Sequence, residues 1–261
     1  ALSLATTSFL VRFLRWQLYL RALEIRVSVL DSALIFTSGL GMSVTPGKAG
    51  ELLKSLMLRQ VSTTSIARSV PIVLAERISD TFSLLLLGTL GVLGTSLGPP
   101  LVLLALLLIG ALSVLLGSRA AGQWAIDSVT RLRFLARQRV RLLSAHESLL
   151  SLSTPVRALP AHALGLLAWT LHGLCLWSIA HAYPSLTLDV GQAMLVNAAP
   201  LLAGALAMLP GGLGLTEASM AGAMVALGQG AVTTAVATAI TLVVRAITLW
   251  WAVALGIAAL G

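Results

Sequence analysis

Long apolar stretches separated by short polar breaks set the pattern of this chain. A bilayer crossing needs roughly 20 predominantly apolar residues, and four stretches approach or exceed that length: 83–97 with a polar-striped turn or two before it, 101–117, 161–183 and 231–260. Two further stretches, 29–44 and 190–209, are apolar but shorter or interrupted. The pattern predicts an all-α polytopic helical membrane protein.

The composition agrees with this prediction. Of the 261 residues, 57% are hydrophobic and only 10% are charged, whereas a soluble domain carries about 25% charged residues. Cys175 is the only cysteine, so no disulfide can form within the chain. Nothing at the N-terminus has the pattern of a cleavable signal, and we expect a further helix before Ala1.

The charges predict the orientation. The net charge is +8, and only Asp127 and Glu147 oppose a run of seven arginines between 118 and 160: Arg119, Arg131, Arg133, Arg137, Arg139, Arg141 and Arg157. The positive-inside rule therefore places the 118–158 loop in the cytoplasm. Residues 1–28 are interpreted as a helix that leaves the membrane through an aromatic and cationic belt, made by Arg12, Arg15, Trp16, Arg21 and Arg26.

The 123–153 part of this loop has an amphipathic pattern. Its leucine-rich side contains Val129, Leu132, Leu135, Leu142 and Leu143, and a different side contains Arg133, Arg137 and Arg141. This pattern predicts a helix that lies along the cytoplasmic surface of an anionic leaflet. A solvated basic loop is the alternative.

The chain contains an internal repeat. The sequence Pro46-Gly47-Lys48-Ala49-Gly50-Glu51 is echoed by Pro210-Gly211-Gly212-Leu213-Gly214-Leu215-Thr216-Glu217, and each break is flanked by short helices and followed by a long one. A constant offset of 169 relates Ser65, Ser69, Glu76 and Ser79 to Thr234, Thr238, Arg245 and Thr248. These spacings put each set on one helical face, and Thr241 completes the second stripe.

The repeat predicts a single transmembrane domain, 1–261, in three parts. Repeat 1 covers about 29–97, a linker with the cytoplasmic amphipathic helix covers about 118–158, and repeat 2 covers about 190–258. We expect inverted repeats, each with a re-entrant helix hairpin (roughly 29–60 and 190–228) followed by a long transmembrane helix, as in many transporters. If 190–209 crosses the membrane fully, the repeats are parallel instead.

Charged residues within apolar helices are the first candidates for a site, since a charge at bilayer depth costs about 2.5–3.5 kcal/mol on insertion scales. The candidates are Glu51, Arg68, Glu76, Arg77, Asp80, Glu217 and Arg245. Arg77 can pair with Asp80 at i+3, and a structural ion-pair cluster is the alternative interpretation for Arg68 and Asp80. Arg245 has no acidic residue in its own helix, so its partner must be Glu217, Glu51, Glu76 or a bound anion.

The glycines of the two breaks are the second group of candidates: Gly47, Gly50, Gly211, Gly212 and Gly214. They permit backbone conformations that a helix forbids, and the helix N-termini that follow can bind an anion such as a phosphate headgroup. A plain interhelical turn is the alternative. His162, His172 and His181 do not share a face, and we expect no metal and no other cofactor.

These residues resemble the lysylphosphatidylglycerol synthase transmembrane family, and in particular the flippase domain of multiple peptide resistance factor proteins. The resemblance rests on Arg15-Trp16, Pro46-Gly47-x-x-Gly50-Glu51, Glu76-Arg77-x-x-Asp80, Pro210-Gly211-Gly212-x-Gly214-x-x-Glu217 and Arg245. It implies translocation of an aminoacylated or other phospholipid between the leaflets of a bacterial-type inner membrane. The sequence shows no aminoacyl-transferring domain, so we expect the candidates to include other lipids, among them polyprenyl-phosphate carriers.

The leading hypothesis is therefore a flippase or scramblase-like lipid transporter, not an enzyme. Its expected substrate-binding residues are Arg245, Glu217, Glu51, Glu76, Arg77, Asp80, Thr241 and the five glycines. The alternatives are a membrane enzyme that uses a lipid-linked donor, with Glu51 or Glu217 as general base, and an ion-coupled solute carrier. The expected partners are membrane phospholipids and no nucleic acid, and homo-oligomer formation stays open.

Overall fold

The structure is a computed structural model that describes residues 1–45, 50–93, 118–131, 139–183, 186–228 and 231–261, with scattered residues between 98 and 110. Within these residues every regular element is helical. The helices are α1 (Leu2–Ala22), α2 (Val29–Gly41), α3 (Leu53–Val61), α4 (Ile66–Val92), α5 (Arg119–Thr130), α6 (Arg139–Leu152), α7 (Pro155–Ala180), α8 (Val190–Leu206), α9 (Leu215–Leu227) and α10 (Thr234–Ala258).

Most helix limits lie close to the predicted ones, but the start of one helix differs. Helix α7 begins at Pro155 and not near 160, because proline fits the first turn of a helix, where its missing N–H is not needed. Within the linker the structure describes the helices α5 and α6. Residues 132–138, between these two helices, and most of the predicted crossing 101–117 lie outside the described residues.

The linker helices are joined to each other and to the core. Two exposed ion pairs connect them, Arg119–Glu147 at 3.3 Å and Arg139–Asp127 at 2.8 Å. The last turns of α6 also bury Leu149 and Leu152 in the cluster that contains Trp16 and Leu20 of α1. The leucines at this end of α6 therefore pack inside the protein.

Helices α1, α4 and α7 form the centre of the molecule. Helix α1 packs along α7, where the Ser8 hydroxyl lies 2.8 Å from Nδ1 of His172. Helix α4 packs on both α7 and α8. Near the end of α4, a side chain at Gly91 would collide with the carbonyl oxygen of Gly191, so this glycine lets the start of α8 approach closely.

Two helical hairpins, α2–α3 and α8–α9, pack against opposite ends of α4. The first ends at Val61, just before α4 begins, and the second starts beside the end of α4 at Gly91. Their tips are the short 3₁₀ turns Met42–Val44 and Pro210–Gly212, which contact each other. The two hairpins therefore meet at these turns, where Gly212 is the buried residue.

Helix α10 packs along both hairpins. It contacts α9 through its first half and α2 through its second half, where Gly256 lies against the backbone of Gly41. The helix widens into a π-helical turn, Ala246–Trp250, directly after Arg245. Such turns inside α-helices occur frequently at functional sites.

Two helices of the described part are long and apolar enough to cross a membrane by length and composition. They are α7, with 26 residues, and α10, with 25 residues. Helix α4 is longer still, at 27 residues, but it carries Glu76, Arg77 and Asp80 near its middle. These three charged residues are part of the candidate site.

Candidate functional site

Asp80 is at the centre of a buried polar cluster. Its Oδ1 accepts hydrogen bonds from Nη2 of Arg15 at 2.8 Å and from the Trp169 indole at 3.0 Å. The predicted i+3 ion pair is also present, with Nη2 of Arg77 at 3.0 Å from Oδ2. Arg15 is 1% exposed, so the prediction that it belongs to an interfacial belt is wrong. An Arg buried at this depth needs a carboxylate, and Asp80 supplies it.

Two more ion pairs connect α4 to the region of the first hairpin. Lys54 on α3 pairs with Glu76, and Arg77 pairs with Glu51 at 3.2 Å. The Lys54 ammonium also lies 4.8 Å from the Trp16 ring centroid, a favourable cation–π distance. Glu51, Lys54 and Glu76 are all buried.

Arg245 is held by the second hairpin. Its Nε donates to Oε1 of Glu217 at 2.5 Å, and its Nη2 donates to the carbonyl oxygen of Gly211 at 2.6 Å. The other carboxylate oxygen of Glu217 accepts the backbone N–H of Gly214 at 2.6 Å. Glu217, one of the partners considered above, thus joins the N-terminus of α9 to Arg245.

The two long helices α4 and α10 carry ion pairs of opposite polarity at matched positions. Glu76 and Arg245 occupy matched positions on the long helices, at the offset of 169 residues. Each pairs with the first turn of the second short helix of its hairpin, Glu76 with Lys54 and Arg245 with Glu217. The same architectural position is therefore acidic in one long helix and basic in the other.

The glycines of the second break adopt left-handed backbone conformations. The φ angles are +59° at Gly211, +70° at Gly212 and +84° at Gly214, values that glycine adopts without steric cost. Gly50 has a different role, because a Cβ there would lie 2.7 Å from Cγ2 of Thr45. Gly47 lies outside the described residues.

Two adjoining cavities lie between the hairpin tips and the central helices. The first, of about 80 Å³, we call the arginine cleft; its lining includes Arg12, Trp169, Asn197, Gly211, Arg245 and Thr248. The second, of about 220 Å³, we call the aspartate cavity; its lining includes Arg77, Asp80, Trp169, Leu201, Gly212 and Thr216. Both cavities are lined by Trp169, Leu201 and Gly211.

A third cavity is almost entirely apolar. This groove, of about 170 Å³, is lined by Leu84, Gly88 and Val92 of α4, by Leu195 and Leu202 of α8, and by Leu104 and Leu108, among others. We call it the apolar groove. It shares Leu84 and Leu202 with the aspartate cavity, so a cavity that contains two charged side chains adjoins an apolar one at these two leucines.

The predicted site residues fall in three places. Arg245 and Gly211 line the arginine cleft, and Arg77, Asp80, Gly211 and Gly212 line the aspartate cavity. Glu51, Glu76, Glu217 and Gly214 do not line these two cavities and are ion-pair or capping partners instead. Thr241 is buried and does not line the arginine cleft, although Thr248 of the same stripe does.

Sequence reasoning missed Arg12, Arg15 and Lys54 as site residues. Arg12 and Arg15 are one helical turn apart in an apolar helix, and that spacing places both on one face. The belt interpretation attributed them to the membrane surface because other arginines follow them in the chain. Arg21 is exposed, but Arg15 is not.

The fold and the cavities define a class: a helical membrane protein with paired charges around an interior cleft between two hairpins. Within that class, the chain belongs to the family described as the lysylphosphatidylglycerol synthase TM region, whose model matches residues 1–256. The family resemblance predicted from the motifs is confirmed. No curated protein and no solved structure gives a significant match.

Proposed function

We propose that this protein is a flippase or scramblase-like transporter that moves an anionic or aminoacylated phospholipid between leaflets through the cavities between the repeats. The observation that carries this proposal is the junction between the aspartate cavity and the apolar groove. A phospholipid has a charged headgroup and apolar chains, and it needs both environments side by side. The family, defined by the membrane region of lipid-modifying proteins, supports the same class of ligand.

The charges suit a phosphate headgroup. The guanidinium of Arg245 lies in the arginine cleft, and that of Arg77 lies in the aspartate cavity. A planar guanidinium can donate two parallel hydrogen bonds to a phosphodiester, which an ammonium cannot do in that geometry. The carboxylates of Asp80 and Glu217 can receive a cationic headgroup such as an aminoacyl group, by exchange with their present arginine partners.

Transport is a better explanation of the carboxylates than catalysis. Glu51 and Glu217, the two candidates for a general base, are each in an ion pair with an arginine. Neither carboxylate lines one of the three cavities, where a general base would have to meet its substrate. The apolar groove also favours a lipid over a small soluble ion, because a soluble ion gains nothing from an apolar surface.

We further propose that the repeats are inverted and that both hairpins are re-entrant. Three observations support this: the hairpins pack against opposite ends of α4, their tips contact each other, and the matched ion pairs occupy the same position in each repeat. Non-helical backbone at membrane depth is tolerated where it is buried in protein or lines a cavity. Gly211 and Gly212 line the aspartate cavity.

The topology predicts a pattern of cysteine labelling. In a Cys175→Ala background, we expect an impermeant maleimide to label Leu30→Cys from the cytoplasmic side only and Val190→Cys from the outside only. Both positions are exposed at the bases of the hairpins. We expect Ser43→Cys and Leu209→Cys, near the tips, to react far more slowly from either side. Rapid cytoplasmic labelling of Leu209→Cys would indicate a full crossing, and therefore parallel repeats.

The function itself is tested in reconstituted vesicles that contain a headgroup-labelled fluorescent phosphatidylglycerol. An impermeant reductant bleaches only the outer leaflet, so about half of the fluorescence survives in protein-free vesicles. We expect the purified protein to make most of the remainder accessible, with no chemical change in lipids extracted afterwards. Fluorescence that stays protected would contradict transport, and a new lipid product would favour the enzyme alternative.

A further inference from the structure

Arg12 has two buried guanidinium nitrogens that stand out among the described residues. It lies on α1, and its Cζ is 4.2 Å from the centroid of the Trp169 ring. Its Nε and Nη2 are buried, and neither has a hydrogen-bond partner among the residues that the structure describes. A buried donor left unpaired costs free energy, and more so when it is charged.

The other cations around the cavities are each paired with a carboxylate. The pairs are Arg15–Asp80, Lys54–Glu76, Arg77–Glu51 and Arg245–Glu217. Within the described part of the chain, Arg12 forms no such ion pair. The face of Trp169 contacts its charge directly, and a cation–π contact leaves the in-plane N–H groups free to bind another group.

A second unpaired donor lines the same cleft. Asn197 on α8 is 2% exposed, and its Nδ2 has no partner in the described structure. Arg12, Asn197 and Arg245 all line the arginine cleft. A buried water needs on the order of 10–15 Å³, so the 80 Å³ cleft has room for several waters or for one phosphate group.

We propose that Arg12 and Asn197 form an anion-binding subsite in the arginine cleft, which takes a phosphate group. Its assignment to a lipid headgroup rests on the proposed function; free phosphate has the same chemistry. Glu217 and Gly211 occupy two of the five N–H donors of Arg245, whereas Nε and Nη2 of Arg12 have no partner among the described residues. Arg12 therefore adds donors for an incoming phosphate beside those that Arg245 retains. Trp169 positions Arg12, and the same indole donates to Asp80, which links the subsite to the aspartate cavity.

The test is equilibrium binding to the full chain purified in detergent, independent of transport. The probes are dihexanoyl-phosphatidylglycerol, inorganic phosphate and, as the phosphate-free control, dihexanoylglycerol, with binding followed by ligand-induced thermal stabilisation. We expect the phospholipid to bind the wild-type protein. Arg12→Gln should weaken it by about tenfold or more, which corresponds to one charge-assisted hydrogen bond. Asn197→Leu should weaken it less.

Matched variants separate binding from folding. Arg21→Gln removes an exposed arginine from the same helix and should leave the affinity unchanged. Arg12→Lys keeps the charge without the planar fork, so it should bind with an intermediate affinity even if Arg12→Gln does not fold. Affinities of Arg12→Lys and Asn197→Leu that lie within twofold of the wild type would overturn the subsite, as would equal binding of dihexanoylglycerol.

The two phosphate sources and the two proposals are also separable. If the phospholipid binds in a way that depends on Arg12, and inorganic phosphate does not compete with it, the subsite takes a lipid headgroup. Strong competition by inorganic phosphate assigns the subsite to free phosphate. Both results support the subsite. Arg12-dependent binding without translocation in vesicles would refute only the proposed function. The subsite alone would be refuted if the wild type translocates the lipid while Arg12→Lys and Asn197→Leu bind it with unchanged affinity.

Discussion

Lipid translocation should fall to the protein-free background when Arg245 is replaced by Ala. The substitution removes a cation from the arginine cleft and takes from Glu217 its ion-pair partner. An anionic headgroup in the cleft would then lose a cation and would lie near an uncompensated carboxylate. Arg245→Lys keeps the charge but loses the planar fork, and we expect it to insert normally while its rate falls about tenfold, the loss of one charge-assisted hydrogen bond.

The vesicle assay measures both variants at matched protein content. Leu242→Ala is the control, because Leu242 lies three residues before Arg245 on α10 and is exposed on the surface of the protein. We expect its rate to equal that of the wild type. Size-exclusion profiles and thermal unfolding would establish that Arg245→Ala is folded. Wild-type translocation by folded Arg245→Ala would refute the role of Arg245.

The largest loss of stability is expected from Asp80→Asn. The change removes the negative charge that pairs with Arg15 and Arg77, and it leaves Arg15 buried without a counter-ion. Removing one partner of a buried ion pair costs about 3–5 kcal/mol. We expect a clear drop in the thermal unfolding temperature in detergent. Asp127→Asn, which weakens only the exposed pair with Arg139, should change it little.

A double variant tests whether the loss of stability in Asp80→Asn comes from the unpaired charge of Arg15. Arg15→Met combined with Asp80→Leu replaces the pair by apolar side chains, a replacement that is often neutral in other proteins. Arg77 keeps Glu51 as a partner in this variant. We expect the double variant to recover most of the stability lost in Asp80→Asn. A double variant that is less stable than Asp80→Asn would assign the loss to packing around Asp80.

The sequence predicted the helices well because long apolar stretches and Pro-Gly breaks are local signals. The constant offset between Glu76 and Arg245 identified two equivalent positions, and each carries an ion pair to its own hairpin. Which residue forms each pair could not be predicted, because Lys54 reaches Glu76 only through the packing of α3 on α4. Helix propensity carries no information about such contacts.

The burial of Arg15, and of two guanidinium nitrogens of Arg12, could not be predicted from the sequence around them. Basic residues at the end of an apolar helix usually mark the membrane surface, and Arg21 is exposed, as that rule leads one to expect. Arg15 does not follow the rule, because Asp80 and Ser79 on α4 hold its guanidinium inside the bundle. The decisive partner lies 65 residues further along the chain. Only the tertiary contact between α1 and α4 distinguishes a buried arginine from an interfacial one.

The central claim, that a phospholipid headgroup enters the cleft between the hairpin tips, is tested most directly by photo-crosslinking. The probe is an anionic N-acyl phosphatidylethanolamine with a diazirine in the headgroup amide, irradiated in vesicles that contain the wild-type protein or Arg245→Ala. We predict adducts on peptides that contain the cleft-lining residues Ser43, Leu201 and Thr248, and their loss in Arg245→Ala. Adducts confined to outward-facing positions such as Leu14 and Leu242, and unchanged in the variant, would contradict the claim.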